Sequence, residues 1–500
     1  MTSISGANTI RIACGLQHSY ISSGKTEVIR VPRYSALTLI ANTSVTAPLW
    51  NGAYGGIVVL EVQGSTILNS GATIDVSGKG FRGGLLDNNS AFGVLNWVSS
   101  NSAYGGEKGE GIAGSTADYD LLGGRYSKGA PANGGGGGNG HNAGGGGGGN
   151  AGTNPWLGTG VPDISSAAYI SAWNQEYAGF AATSSSGGGK GGYSMSSNNM
   201  DATVLGPFQT GWGGDYRRDN GGRGGRVLDY TTGRIFMGGG GGAGDANSSV
   251  GGAGGAGGGI VFIYSYGDIS GSGSILANGQ NGFNTQGTNG VDGAGGAGAG
   301  GTIIINSTNA ISGVSLTANG GAGGTQTVSF FNNECEGPGA GGGGGYIAIS
   351  NGTPTRTTNG GVNGTTNSWA VTEFPPNGAT KGGAGIPNAG INAYRIVTSP
   401  ITACYGSTET LTFTAIGTPP AGVTYNWYNS ATGGSIVGTG TSFTTPVLTA
   451  NVTYYVGTCP GFARFPIAIT VDHVTASFTA TAVCGGNPTV FSGTGASSMG

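Results

Sequence analysis

The sequence predicts an all-β protein in two parts, stacked parallel β-rungs in a glycine-rich head followed by antiparallel sandwich modules. Three observations carry this prediction. Glycine is extreme, with 112 glycines and 18 prolines in 500 residues. Short β-branched runs recur with one grammar through the first 350 residues or so. Strand patterns at sandwich spacing then replace the glycine from about residue 396.

Composition excludes several classes first. Only 8% of residues are charged, against a usual quarter. So much glycine and proline approaches low-complexity disorder, but 16 Phe, 7 Trp and 20 Tyr are far more than a solvated linker carries. Glycine falls in clusters without a three-residue period, which excludes collagen. With 19 basic against 22 acidic residues there is no field for nucleic acid or an anionic membrane. The longest apolar runs, such as Ile57-Val58-Val59-Leu60, are strand-sized, so no membrane insertion is expected. The opening residues lack the basic start and apolar centre of a signal peptide.

The repeats follow in order. Gly55-Gly56-Ile57-Val58-Val59-Leu60, then Ile67, then Ile74-Asp75-Val76-Ser77-Gly78 form one unit. Gly258-Gly259-Ile260-Val261-Phe262-Ile263, Ile269 and Ile275-Leu276-Ala277-Asn278-Gly279 form the next. Gly300-Gly301-Thr302-Ile303-Ile304-Ile305, Ile311 and Leu316-Thr317-Ala318-Asn319-Gly320 form a third, and Gly345-Tyr346-Ile347-Ala348-Ile349 begins a fourth. Short strands cannot bury an apolar face alone, so the units must stack as a parallel β-helix or similar solenoid. An antiparallel sandwich with long glycine loops is the alternative.

Glycine tracts at 134–152, 186–192, 238–259, 290–301 and 336–345 interrupt these units. They are either flexible loops or extended, polyproline-II-like segments packed on one another, where the missing side chain permits close backbone approach. Their recurrence after each Asn-Gly or Ser-Gly corner favours packed order. The expected organisation is a β cap at 1–54, a head at 55–370 with an insertion at about 85–237, a linker at 371–395, a sandwich at 396–472 and the start of another at 473–500.

The insertion supplies the candidate ligand-binding residues: Trp156, Trp173, Tyr177, Trp212, Tyr216, Arg217, Arg218 and Asp219. Aromatic faces suit sugar rings, while Arg and Asp suit hydroxyls or carboxylates. The alternative is a local aromatic core with structural ion pairs. The island continues through Arg223, Arg226, Asp229 and Arg234. Its acids are the only dense acid–base group, so a polysaccharide-degrading enzyme is the runner-up to a non-enzymatic role. No Cys/His cluster has zinc spacing. No cofactor is expected, and calcium at Asp245 or Asp292, which miss the nonapeptide repeat, is the one metal option.

In the sandwich region Cys404, Trp427 and Cys459 occur in the Cys, Trp, Cys order of immunoglobulin-like (Ig-like) domains. A Cys404–Cys459 disulfide is expected, and with it an oxidising compartment. Five cysteines leave one free or paired elsewhere.

The segment from Cys404-Tyr405-Gly406-Ser407 through Tyr425-Asn426-Trp427-Tyr428, Phe443-Thr444-Thr445-Pro446 and Thr453-Tyr454-Tyr455-Val456 resembles Ig-like repeats of large Bacteroidota surface proteins. Cys484-Gly485-Gly486-Asn487-Pro488 looks like the opening of their PKD-like repeats. Ala47-Pro48-Leu49-Trp50-Asn51-Gly52 and Ser77-Gly78-Lys79-Gly80-Phe81-Arg82-Gly83-Gly84 are similar to the N-terminal heads of such proteins. The resemblance, to giant gliding-motility adhesins of the SprB-like kind, implies export by type IX secretion, partnership with the gliding machinery, and a cell-surface stalk. A distal head contacting substratum or extracellular polysaccharide would follow. The alternatives are the secreted β-helix enzyme and a purely structural filament component.

Overall fold

The computed structural model describes residues 3–4, 10–11, 19–20, 26–89, 96–158, 160–161, 185–194, 220–287, 289–329, 335–369, 375–391, 394–417, 419, 422–459, 463–473, 477–481 and 490–494. Strand takes up 29% and helix 3%, an all-β chain. It divides into two compact units, residues 21–391 and residues 392–500 together with 1–20.

In the first unit the β-branched runs become parallel sheets. The largest runs in the order Ile386–Gly390, Tyr346–Ile349, Thr302–Ser307, Ile260–Ser265, Ile57–Val62, Arg33–Tyr34. A second contains Ile269–Gly271, Thr66–Leu68 and Leu37–Leu39, and a third Thr355–Thr357, Ser315–Thr317, Ser274–Leu276, Thr73–Asp75 and Ser44–Thr46. Every pairing among them is parallel, and equivalent repeat positions meet: Val58 lies beside Val261, Val261 beside Ile303, and Ile303 beside Ile347. Alternation along each strand sends Val58, Leu60, Val261, Ile263, Ile303 and Ile305 inward, against Leu68, Ile269, Ile74, Ile275 and Leu316. Each such side chain contributes about 1.5–3 kcal/mol on burial. The core is a column of stacked aliphatic ladders.

The glycine tracts form a second layer. Gly238, Gly241 and Gly244 donate to Gly258, Gly255 and Gly252; Gly239, Gly242 and Asp245 donate to Gly149, Gly146 and Ala143; Gly240 and Ala243 donate to Glu110 and Glu107. Successive N–H groups thus address three different neighbours and return to the first every third residue. That is the three-residue turn of a polyproline-II helix. The same tract accepts from Gly135 and Gly138, from Gly293, Gly296 and Ala299, and from Phe81 and Gly84, so it is surrounded. Backbone that cannot bond within its own helix is satisfied by the next one, as buried peptide groups require.

This packing accounts for the composition. A Cβ on Gly242 would lie 2.0 Å from the Gly136 carbonyl oxygen, and one on Gly146 2.2 Å from that of Arg223. No side chain fits there. Tyr230 joins the two layers: its ring stacks on Tyr346 at 3.8 Å and its hydroxyl donates to Asn150 Oδ1 at 2.7 Å.

Residues within the stretch read as a linker belong to this unit. Thr380 N–H donates to the Lys190 carbonyl, Gly382 N–H to that of Gly361, and Ile386–Gly390 pairs with Tyr346–Ile349. Gly382 and Gly383 are tract residues, so a composition that normally marks a loop here marks packed backbone.

In the second unit Ile401–Cys404, Arg464–Asp472, Val452–Cys459, Thr424–Tyr428 and Ile436–Thr439 form one sheet in that order. Thr410–Thr412 pairs with Ser442–Thr444, and Arg395–Val397 with Thr414–Ile416. Trp427 is fully buried among Leu411, Val456, Ile467 and Ile469, with the Phe443 ring 5.7 Å away and its Nε1–H donating to the Gly440 carbonyl at 3.1 Å. Ser477–Thr481 and Val490–Thr494 pair antiparallel.

The Cys404–Cys459 bridge does not form, because Cys404 is an exposed free thiol. Alternation turns Ala403 inward and Cys404 outward. Cys404 pairs with Asp472, beyond the Val452–Ile469 pair, whereas buried Cys459 closes the far end of Val452–Cys459. At about 3.3 Å per residue the two lie more than ~20 Å apart along the sheet, and a disulfide needs Cα atoms within about 7 Å. Cysteine order fixed neither strand end nor facing direction.

Candidate functional site

Of the sequence-predicted binding residues, Trp173, Tyr177, Trp212, Tyr216, Arg217, Arg218 and Asp219 lie outside the described residues. Trp156 is described and half-buried. Its Nε1–H donates to the Gly224 carbonyl at 2.9 Å, and the Arg226 guanidinium lies 4.4 Å from its ring centroid. A Cβ on Gly187 would come within 3.2 Å of the ring. Trp156 therefore packs against tract backbone.

The rest of the charged island spreads out, with arginines covering separate rings. Arg223 lies 5.3 Å from the Trp97 centroid and Arg234 5.4 Å from that of Phe236. Asp229 caps the turn at Tyr230–Thr232 by accepting from Thr231 N–H at 2.8 Å. Such cation–π contacts are worth about 0.5–1 kcal/mol when exposed and about 2 when desolvated.

Arg223 leads to the most prominent exposed feature. Trp97 is 55% exposed, and beside it in sequence stands exposed Val98. Ser99 and Tyr126 exchange backbone hydrogen bonds as an antiparallel pair, and Gly129 N–H donates to the Trp97 carbonyl at 3.0 Å, laying 97–99 along 126–129. A Cβ on Gly123 would sit 3.2 Å from Val98 Cγ1, and just before Gly123 stand Leu121, 87% exposed, and exposed Leu122 at the end of the short helix Thr116–Leu121. Trp97, Val98, Leu121 and Leu122 thus stand exposed on these neighbouring segments as an apolar platform, with Val98 the residue placed beside Gly123.

Charged groups support its underside. Lys108 Nζ donates to the carbonyls of Trp97, Ser127 and Gly129 at 2.8, 2.7 and 2.7 Å. Burial holds its pKa down to about 7. Lys128 Nζ lies 4.9 Å from the Trp97 centroid. At the rim Arg125 pairs with Asp120, which keeps that carboxyl below its usual range, and approaches Glu107 at 3.7 Å. Burial raises Glu107, opposed by the Leu85 N–H and by Arg125. The tryptophan is thus anchored by its backbone carbonyl and presents its ring to solvent. Sequence reading passed over Trp97 for the denser island; the signal was an aromatic–aliphatic pair inside a run of Asn and Ser.

Residues 393–472 match the Ig-like domain CHU_C associated family. This domain is typical of Bacteroidota cell-surface proteins. No curated protein and no solved structure matches the chain.

The calcium option meets a different chemistry. Asp292 is buried and accepts from the N–H groups of Asn247, Ser248 and Val250 at 2.9–3.1 Å. Asp245 accepts from Asn142 N–H at 2.9 Å. These carboxylates hold turns in place. Among the described residues no group of three or more His, Cys, Asp or Glu side chains could hold a metal ion. Among the described residues no helix is long and apolar enough to cross a membrane.

Proposed function

We propose that the protein is a cell-surface adhesin whose first unit is the contact head and whose Ig-like domain belongs to a stalk. The observation that carries the reading is the Trp97–Val98–Leu121–Leu122 platform. Large apolar side chains gathered on one surface mark interaction sites, and an aromatic ring fixed from below loses little entropy on contact. The Ig-like match supports an extracellular surface setting. The hydrogen-bonded, close-packed tracts support a rigid head. Type IX export and a role in gliding belong to the same proposal and rest on the resemblance of the Ig-like segment.

The test is adhesion of beads coated with the full chain to glass and to polysaccharide films. Trp97→Ala combined with Leu121→Ser should cut adhesion per folded molecule at least about fivefold. Unchanged adhesion would remove the platform as the contact.

A further inference from the structure

Away from the platform, three tracts run parallel at 277–287, 318–329 and 357–369. Gly279, Gly282 and Thr285 donate to the carbonyls of Asn319, Ala322 and Thr325, and Gly320, Gly323 and Gln326 donate to those of Asn359, Val362 and Thr365. A side-chain ladder runs beside this backbone one. The Oδ1 atoms of Asn278, Asn281 and Asn284 accept from the N–H groups of Asn319, Ala322 and Thr325, each at 2.8 Å, and Asn319 Oδ1 accepts from Asn359 N–H at 2.7 Å. A backbone N–H must face oxygen, so these contacts assign the amide orientation. With the oxygen committed, each side chain retains an NH₂ group held in one direction. None of the NH₂ groups of Asn278, Asn281, Asn284 and Asn319 donates to an acceptor among the described residues, and Asn281 and Asn284 are exposed. One row over, the Phe283 ring is 47% exposed.

Two further facts restrict the ligand. No Asp, Glu, Lys or Arg occurs in 278–287, 319–329 or 359–369, so this face offers no counter-charge. Along 277–287 a polyproline-II turn of three residues at about 3.1 Å repeats the donors of Asn278, Asn281 and Asn284 every ~9 Å, and Asn319 adds one donor on the next tract. Fixed, uncharged donors at a regular interval suit a ligand that repeats its acceptors, and repeated weak contacts gain by multivalency.

We propose that the asparagine ladder is a binding face for an extended, uncharged polysaccharide. Its hydroxyl oxygens accept from the amides of Asn281 and Asn284, and a sugar ring lies over Phe283. The proposal deepens the adhesin reading by naming a ligand class, yet it shares no residue with the platform.

The experiment uses the full chain and microcrystalline cellulose in a sedimentation assay, with pectate gel as the acidic comparator. Asn281→Asp with Asn284→Asp retains an oxygen for the Ala322 and Thr325 N–H groups and removes the NH₂ donors. The expected result is at least a tenfold loss of cellulose binding with an unchanged unfolding midpoint. As a measurement independent of variant folding, cellohexaose should slow amide exchange across 318–329 in the unaltered protein. Cellulose binding that survives the double substitution, binding confined to pectate, or no binding by the unaltered chain would each overturn the proposal. Because bead adhesion through Trp97 is measured separately, failure here with that assay positive leaves the adhesin reading standing.

Discussion

Replacing Gly242 by alanine tests the packed-backbone account at a crowded point. The new methyl carbon would stand 2.0 Å from Gly136 O and 2.4 Å from Gly136 C, far inside van der Waals contact and against backbone that cannot rotate away. Gly136 O already accepts from Gly146 N–H at 2.8 Å, and Gly242 N–H donates to Gly146 O at 2.8 Å, so displacing one tract disturbs bonds on two others. Overpacking costs about 1–3 kcal/mol and each weakened hydrogen bond about 1 kcal/mol. The reduced freedom of the unfolded chain returns about 0.4–1 kcal/mol. The net expectation is a destabilisation of roughly 2–4 kcal/mol, read by urea unfolding followed by circular dichroism. Gly390→Ala is the control, since a Cβ there meets nothing within 4 Å, and it should stay within about 0.5 kcal/mol of the unaltered protein. If Gly242→Ala behaves like the control, the tracts are not close-packed and the explanation of the glycine content is wrong.

Further outcomes follow from the same structure. Cys404→Ser should leave stability within about 0.5 kcal/mol under oxidising conditions, and native maleimide labelling should reach Cys404 and spare buried Cys335; a loss above about 2 kcal/mol would indicate a structural bridge. Because burial lowers Lys108 to about 7 from 10.5, the unfolded chain binds the extra proton between those values. Its burial penalty is therefore complete below pH 7 and is relieved as pH rises towards 10.5, with a slope of up to about 1.4 kcal/mol per pH unit. That slope should vanish in Lys108→Met, and an identical pH profile in the variant would show that Lys108 titrates normally. Trp156→Ala should destabilise the protein by about 3 kcal/mol while leaving bead adhesion per folded molecule unchanged; a selective loss of adhesion would return Trp156 to the contact surface.

Much of the architecture was legible because it rests on local periodicity. The aliphatic runs beginning at Ile57, Ile260 and Thr302 repeat in phase, and units too small to bury their own apolar face must stack. The tract residues were readable as packed backbone because close approach needs glycine. The Ig-like segment was legible from strand alternation around Trp427. Seven of the eight candidate binding residues lie outside the described residues, and Trp156 is the one described. Trp156 looked like a binding residue by type, yet its indole N–H and ring are engaged by Gly224 and Arg226. Asp245 and Asp292, the one metal option, accept instead from backbone N–H groups, Asp292 from three and Asp245 from that of Asn142. Trp97 gave little signal because exposure is decided by which segments lie beside it, here 126–129.

Residue pattern alone thus settled the β class, the stacked units and the need for bare backbone, since each follows from interactions between near neighbours or from a steric limit that holds wherever tracts meet. Long-range placement settled the rest: which tract faces which, that Cys404 and Cys459 occupy opposite ends of a sheet, that an asparagine ladder crosses three tracts, and that Lys128 and Arg223 lie against the Trp97 ring. Those outcomes depend on register and facing direction between segments distant in the chain, and a shift of one residue would reverse them while leaving composition and local periodicity unchanged.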